Sequence, residues 1–236
     1  MLDGVVQLTE KDEYIYHEML VHPAMFAHGD VNDVLIIGGG DGGAAREVLK
    51  HKDVNVVQVE IDEKVVKFCN EYLPKISMGA YDDPRHSLEI CDGAQFIKET
   101  DKKFDIIIVD ATDPIGPAKV LFEDQFYANC KKVLKEEGIL VTQNGVPFFQ
   151  GDELKNTVSS FKRLFKHATC YLANVPTYVG GPLAFGWGTD NMNTKLNMPT
   201  VLSTRLKKSD LDLKFYNEEV HRAAFALPND IKVLID

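Results

Sequence analysis

Two short, unbroken apolar runs, Val34-Leu-Ile-Ile37 and Ile106-Ile-Ile-Val109, constrain this chain more than any other feature, and each gives way at once to a glycine or an aspartate. A strand that is apolar at every position must be covered on both faces, and a parallel sheet sandwiched between helices does this. The rest of the chain supplies the alternation such a sheet requires. Strands are predicted over 34–37, 56–60, 88–91, 105–109 and 139–142, with helices over 44–50, 63–73, from 94 onward and over 123–136. Pro74 stops the second helix, and Gly138 is expected to cap the last. After a helix over 152–166, the segments 170–174 and 183–187 are expected to close the sheet with an antiparallel edge. The fold class read from this pattern is α/β, a Rossmann-like doubly wound sheet with ligands outside the carboxyl ends of its strands. Segment 4–10 alternates like a strand yet has no partner before it in the chain, so it reads as the end of something longer.

Composition narrows the function classes. With 236 residues, 44% of them hydrophobic, the chain has material for one main domain. No apolar run approaches the roughly 20 residues needed to span a bilayer, and Met1 is not followed by a basic segment, so no membrane association and no export are expected, which leaves the cytoplasm. Cysteines 69, 91, 130 and 170 form no C-x-x-C pair, which suggests neither a disulfide framework nor a zinc site. A formal charge of −10 argues against a nucleic-acid partner and favours cationic small molecules.

The glycine cluster Gly38-Gly-Gly-Asp-Gly-Gly43 lies between a predicted strand and a predicted helix, where glycine lets backbone turn tightly and approach a ligand. Glu60 ends the next strand about twenty residues on, where an acid accepts hydrogen bonds from ribose hydroxyls. An adenosine-containing ligand is therefore expected. Asp41 in the middle of the loop would repel a pyrophosphate or an amino-acid carboxylate and would welcome an amine. Asp92 and Gly93 follow the third strand in the same way; Asp92 can accept from an adenine amino group, or it can cap the helix that starts there.

Asp110 ends the fourth strand, and Asp113 follows three residues later in a loop stiffened by Pro114 and Pro117. Two carboxylates at a strand's carboxyl end stand where such folds bind substrates, although Asp before Pro also initiates turns. Several stretches then resemble one family: Asp12-Glu-Tyr-Ile-Tyr-His-Glu-Met19, Ile36-Ile-Gly-Gly-Gly-Asp-Gly-Gly43, Asp110-Ala-Thr-Asp-Pro-Ile-Gly-Pro117, Pro176-Thr-Tyr178 and His221-Arg-Ala-Ala-Phe225. Together with Leu2-Asp-Gly-Val they are similar to the bacterial-type spermidine synthases, the polyamine aminopropyltransferase family, over essentially the whole chain.

That resemblance implies aminopropyl transfer from decarboxylated S-adenosylmethionine, a co-substrate rather than a cofactor, to putrescine, giving spermidine and methylthioadenosine. It implies a class I methyltransferase-type sheet preceded by a small β-rich domain, of which residues 1–22 are the expected remnant and linker before a catalytic domain over 23–236. Family members normally carry a further N-terminal segment with a donor-contacting glutamine and strands used in assembly, and a homodimer or homotetramer is implied. By the same resemblance Asp41, Glu60, Asp92, Gly93 and Pro117 hold the donor, while Tyr16, His17, Asp41, Asp110, Asp113 and Tyr178 hold the amine. Asp110 is the implied proton acceptor. His17 has a packing role as its rival, and Gln143 either bonds an amine or only satisfies backbone groups.

The chemistry accounts for these residue types. Alkylamines titrate near the lysine value of about 10, so putrescine arrives doubly protonated and must lose a proton before it attacks. One carboxylate takes that proton while another, Asp113 or Glu18, anchors the distal ammonium. The sulfonium is a good leaving group already, so the reaction requires no metal, in keeping with the lack of metal-ligand spacing. A methyltransferase on the same fold, a non-catalytic nucleoside- or polyamine-binding protein, and an NAD-dependent oxidoreductase stand as alternatives, and Asp41 disfavours the first and the last.

Overall fold

The computed structural model of the chain describes residues 4, 6–112, 116–191 and 199–236. Among them seven strands form one sheet: β1 (Asp33–Gly38), β2 (Asn55–Glu60), β3 (His86–Ile90), β4 (Phe104–Asp110), β5 (Leu134–Gln143), β6 (His167–Ala173) and β7 (Leu183–Thr189). Their order is β3-β2-β1-β4-β5-β7-β6. The first five are parallel, and β7 runs antiparallel to both β5 and β6, so the expected antiparallel edge is present. Helices α1 (Glu13–His28), α2 (Gly43–Leu49), α3 (Glu63–Tyr72), α4 (Pro74–Ser77), α5 (Gly93–Glu99), α6 (Asp124–Val133) and α7 (Pro147–Leu164) cover the faces. Three more, α8 (Pro199–Ser209), α9 (Glu218–Ala224) and α10 (Asn229–Ile235), follow the sheet. No helix among the described residues is long and apolar enough to cross a membrane.

The unbroken apolar runs divide by parity. Val34, Ile36, Ile106 and Ile108 face a core shared with α1 and α2, while Leu35, Ile37, Ile107 and Val109 face a second core shared with α5 and α6. Successive side chains of a strand point to opposite faces, and each fully buried aliphatic contributes about 1.5–3 kcal/mol. Both faces therefore anchor the two central strands in register, Leu35 opposite Ile107 and Gly38 opposite Asp110.

Helix α1 was not legible as a helix. Of its residues only Tyr14 and His28 escape burial, so it has no polar stripe to mark it as amphipathic, and it contains Pro23. Proline removes the amide that would bond the Met19 carbonyl, and the Tyr171 hydroxyl donates to that carbonyl instead at 2.8 Å. The boundary expected between 22 and 23 lies inside this helix.

Two expectations are corrected. The helix expected over 123–136 ends at Val133, and Gly138 lies inside β5 rather than capping a helix. Glycine suits the close passage there, since a Cβ would stand 2.8 Å from Leu134 Cδ2 and 3.1 Å from the Asp105 carbonyl oxygen where the β4–β5 register shifts. The described residues of segment 4–10 form no strand, because no neighbouring strand offers a ladder. They are held by single bonds instead, such as that from the Tyr178 hydroxyl to the Gln7 carbonyl at 2.5 Å.

Glu18 is corrected as well. Its carboxylate is 1% exposed and accepts the backbone amides of Lys214, Phe215 and Tyr216, each at 2.8 Å, so it ties the C-terminal segment to α1 and is not available to a substrate ammonium. We expect Glu18→Ala to cost about 3 kcal/mol, because the amides it serves lose a charged acceptor in a buried setting. Urea denaturation monitored by circular dichroism measures this.

Candidate active site

The sheet's strand order reverses between β1 and β4, and the carboxyl ends of these neighbours open the crevice where ligands of doubly wound sheets bind. Gly38 has φ 86°, and a Cβ on it would stand 2.1 Å from the Asp110 carbonyl oxygen, so only glycine fits. The Gly39 amide then donates to that same carbonyl at 3.0 Å. From behind, Gln58 Nε2 donates to the Gly38 and Gly39 carbonyls at 2.9 and 2.6 Å, and the Tyr81 hydroxyl to the Gly40 carbonyl at 2.9 Å. The loop is thus fixed before any ligand arrives, with Asp41 at its turn. Asp41 Oδ1 accepts the Gly43 amide at 2.7 Å at the start of α2.

Asp110 lies across the crevice. The Tyr16 hydroxyl donates to its Oδ1 at 2.5 Å, and its Oδ2 is buried with no partner. Burial and the nearby Asp41 charge push the Asp110 carboxyl up to about 6, against the opposing pull of the His17 charge and the Tyr16 hydrogen bond. A carboxylate that holds a proton more tightly than usual, with one oxygen open, is equipped to accept one.

His17 reconciles the two carboxylates. Its Nδ1 lies 2.7 Å from Glu13 Oε2, and its Nε2 lies 3.4 Å from Asp41 Oδ1, an ion pair too long for a strong hydrogen bond. Burial alone would depress its proton affinity, but the Asp41 charge and the flanking carboxylates push it up to about 10. His17 therefore lends the fold stability that is fully present below about pH 6.5 and is lost as pH rises toward 10. Burial works to raise Asp41, but the His17 charge and hydrogen bond, the Gly43 amide and the Arg46 charge together hold it below the ordinary carboxylate range.

Glu60 ends β2 beside the loop: a Cβ on Gly40 would meet its Oε2 at 2.8 Å. Burial raises its proton affinity, opposed by backbone amides including Asp62, which donates at 2.9 Å. Of the two roles expected of Asp92, the structure shows the cap. It is exposed at the carboxyl edge, and it caps α5 by accepting the Ala94 and Gln95 amides at 2.7 and 3.2 Å. Gly93 is set by packing, since a Cβ would meet Ile37 Cγ2 at 2.6 Å. Tyr178 packs edge-on against Tyr16 with ring centres 5.8 Å apart. Gln143 serves backbone groups, its amide nitrogen facing the Ala111 carbonyl and its oxygen the Gly145 amide, each at 3.3 Å.

The structure thus gathers Tyr16, His17, Asp41, Asp110 and Tyr178 at one end of the sheet, with Glu60 adjoining, Gly93 packed against Ile37 of β1 and Asp92 beside it. Pro117 lies in a 3-10 turn over Gly116–Phe122. Asp113 lies outside the described residues. Glu13 and Arg46, which sequence reasoning did not single out, stand behind His17. A Cβ on Gly43 would fall 2.3 Å from the His17 ring, so Gly43→Ala is expected to destabilise the fold by about 1–3 kcal/mol through overpacking. Thermal unfolding of that variant checks this.

Comparisons with known proteins agree with this geometry. A spermine/spermidine synthase domain matches residues 13–198. The polyamine aminopropyltransferase of Ruegeria sp. (strain TM1040) is 58% identical over 234 residues, 99% of this chain and 82% of that protein. Polyamine aminopropyltransferase 1 of Pseudomonas aeruginosa is 50% identical over 228 residues, 96% of this chain and 80% of that protein. Among solved structures, a spermidine synthase in complex with the transition state analogue AdoDATO superposes with a TM-score of 0.94 at 38% identity, covering 100% of this chain and 80% of that one. The spermidine synthase of Thermotoga maritima superposes with a TM-score of 0.90 at 37% identity, covering 100% and 78%. Matched by that domain over most of its length, and by relatives of up to 58% identity over nearly all of it, this chain belongs to the spermine/spermidine synthase family of aminopropyl-transferring enzymes.

Proposed function

We propose that this enzyme transfers the aminopropyl group of decarboxylated S-adenosylmethionine to putrescine, with Asp110 as proton acceptor. The observation that carries this reading is the pair of half-buried acids at the ends of neighbouring strands, Asp41 held below the ordinary carboxylate range and Asp110 with an unpartnered oxygen. Both reactants are cations, and holding them together requires negative charge to offset their repulsion. Asp41 seats the donor's ammonium; a methionine carboxylate at the same place would be repelled, which disfavours methyl transfer. Glu60, Asp92 and Gly93 line the edge that receives the nucleoside, with Pro117 beyond them.

In the reaction the acceptor ammonium gives a proton to Asp110 Oδ2, and its freed lone pair attacks the carbon beside the sulfonium. The new C–N bond forms as the C–S bond breaks, and the electron pair stays on sulfur in methylthioadenosine. Raising the Asp110 carboxyl to about 6 narrows its gap to an amine near 10, so proton transfer is less uphill than to an ordinary carboxylate. Tyr16 fixes the other oxygen of that carboxylate. His17 and Tyr178 complete the amine side, and Asp113 is assigned to the distal ammonium.

Incubation with donor and putrescine should yield methylthioadenosine and spermidine by chromatography; no product would reduce the chain to a binding protein. Asp110→Asn should lose at least about 100-fold in kcat with the fold intact, the scale of general-base catalysis, and a near wild-type rate would remove the acceptor role. Asp41→Asn should weaken the donor in calorimetry while leaving methylthioadenosine, which carries no ammonium, unaffected. The pH profile of kcat/KM should fall on the acid side with a midpoint near 6, as Asp110 becomes protonated in the free enzyme.

A further inference from the structure

Glu13 and Arg46 are buried charged groups that the reaction as written does not use. Arg46 grips Glu13 through two nitrogens, Nη1 to Oε1 at 3.2 Å and Nη2 to Oε2 at 2.9 Å. Arg46 is itself fixed by Glu47 Oε1 at 2.8 Å and the Ile76 carbonyl at 2.6 Å. Glu13 in turn holds His17 Nδ1 at 2.7 Å. The ring cannot swing away, because it lies against Gly43, whose missing side chain makes room for it, and stands edge-on to Tyr16 at 5.1 Å between centres.

That leaves Nε2 aimed at Asp41 Oδ1, 3.4 Å away, 1% exposed and without a hydrogen-bond partner. A ring with a carboxylate opposite each nitrogen is stable with a proton on both; the neutral tautomer carrying Nδ1–H would set the Nε2 lone pair against a carboxylate oxygen. Among the described residues, carboxylates face the ring from three elements, Glu13 from α1, Asp41 from the glycine loop and Asp110 from β4, while the Arg46 guanidinium on α2 sits behind Glu13.

We propose that Glu13, anchored by Arg46, is a positioning residue that holds His17 doubly protonated as a stand-in cation for Asp41 in the empty site, and that the donor's ammonium displaces the Nε2 proton. The inference rests on the reading of Asp41 as the seat of that ammonium. When the ammonium arrives it neutralises Asp41, which removes the main charge favouring imidazolium, and burial then favours the neutral ring. The Nε2 proton leaves for solvent, the Nε2 lone pair accepts an N–H from the ammonium, and the ammonium's charge replaces the one lost from the ring, so that only the sulfonium adds charge to the site. Glu13 keeps the proton on Nδ1 throughout, so it is always Nε2 that faces the substrate.

The test is calorimetric titration of the holding step alone, without acceptor amine, in phosphate and in Tris at about pH 8, where Asp110 is already ionised and His17 still protonated. Decarboxylated S-adenosylmethionine should release about one proton per molecule bound, and methylthioadenosine, with no ammonium, none. In Glu13→Gln the amide oxygen still accepts Nδ1–H, so the ring stays seated, but with one of the carboxylates that favour imidazolium gone the release should fall below the wild-type value. A donor heat that does not depend on the buffer in the wild-type enzyme overturns the proposal even if turnover is normal. Nitrogen NMR of the histidines in the empty wild-type protein needs no ligand: imidazolium shifts for His17 support the proposal and a neutral ring overturns it. Failure of the donor to bind would strike at the substrate reading instead, and the NMR result would still decide the state of the ring.

Discussion

The hydrogen bond from the Gly39 amide to the Asp110 carbonyl, 3.0 Å long, joins the ends of β1 and β4 at the point where the strand order turns around. The glycine loop and Asp110, the proposed proton acceptor, are separated by about seventy residues of chain, and this contact makes them neighbours. It depends on two aliphatic strands buried on both faces, because a shift of one residue in either would exchange the two cores and carry Asp110 away from the loop. The catalytic geometry is therefore as rigid as the middle of the sheet.

Placing Asp41 and Asp110 near one another in a half-buried setting is electrostatically costly, and the fold offsets this from a helix that is not part of the doubly wound pattern. Helix α1 contributes Tyr16 to Asp110, His17 to Asp41 and Glu13 to Arg46, all within its first two turns. The same helix extends its charge pairing away from the site, where His22 Nε2 meets Glu47 Oε2 at 2.8 Å and His22 Nδ1 meets His51 Nε2 at 3.0 Å. Breaking one member of such a network leaves a buried charge unpaired, so its members stand or fall together.

The sheet was legible because its signal is local: runs such as 34–37 and 105–109 announce burial on both faces, and the glycine loop and the acids at strand ends follow from them. Helix α1 was not legible, since a helix buried all round has no polar face to give its period away. Gly138 misled for a related reason. Glycine marks a helix end in sequence, but here it serves the close passage of β5 over the Asp105 carbonyl, a contact between distant segments. Glu18 read as a candidate substrate acid because its neighbours Tyr16 and His17 face the site. One residue further along a helix points about 100° away, and there it meets the amides of 214–216.

On the proposed reading the enzyme binds two cations, and it has to remain folded when neither is present. Three carboxylates, Glu13, Asp41 and Asp110, converge on one histidine in the empty crevice, and without internal compensation their repulsion would weigh against the folded state. A permanent cation such as lysine beside Asp41 would compensate equally well, but it would then compete with the substrate, because its proton is held as tightly as the substrate's own. Histidine differs in that its proton affinity follows its surroundings: high while Asp41 is unpaired, low once an ammonium has taken its place. The site can thus be neutralised when empty and vacated when filled without moving a side chain, which suits a ring wedged against Gly43 with no room to turn.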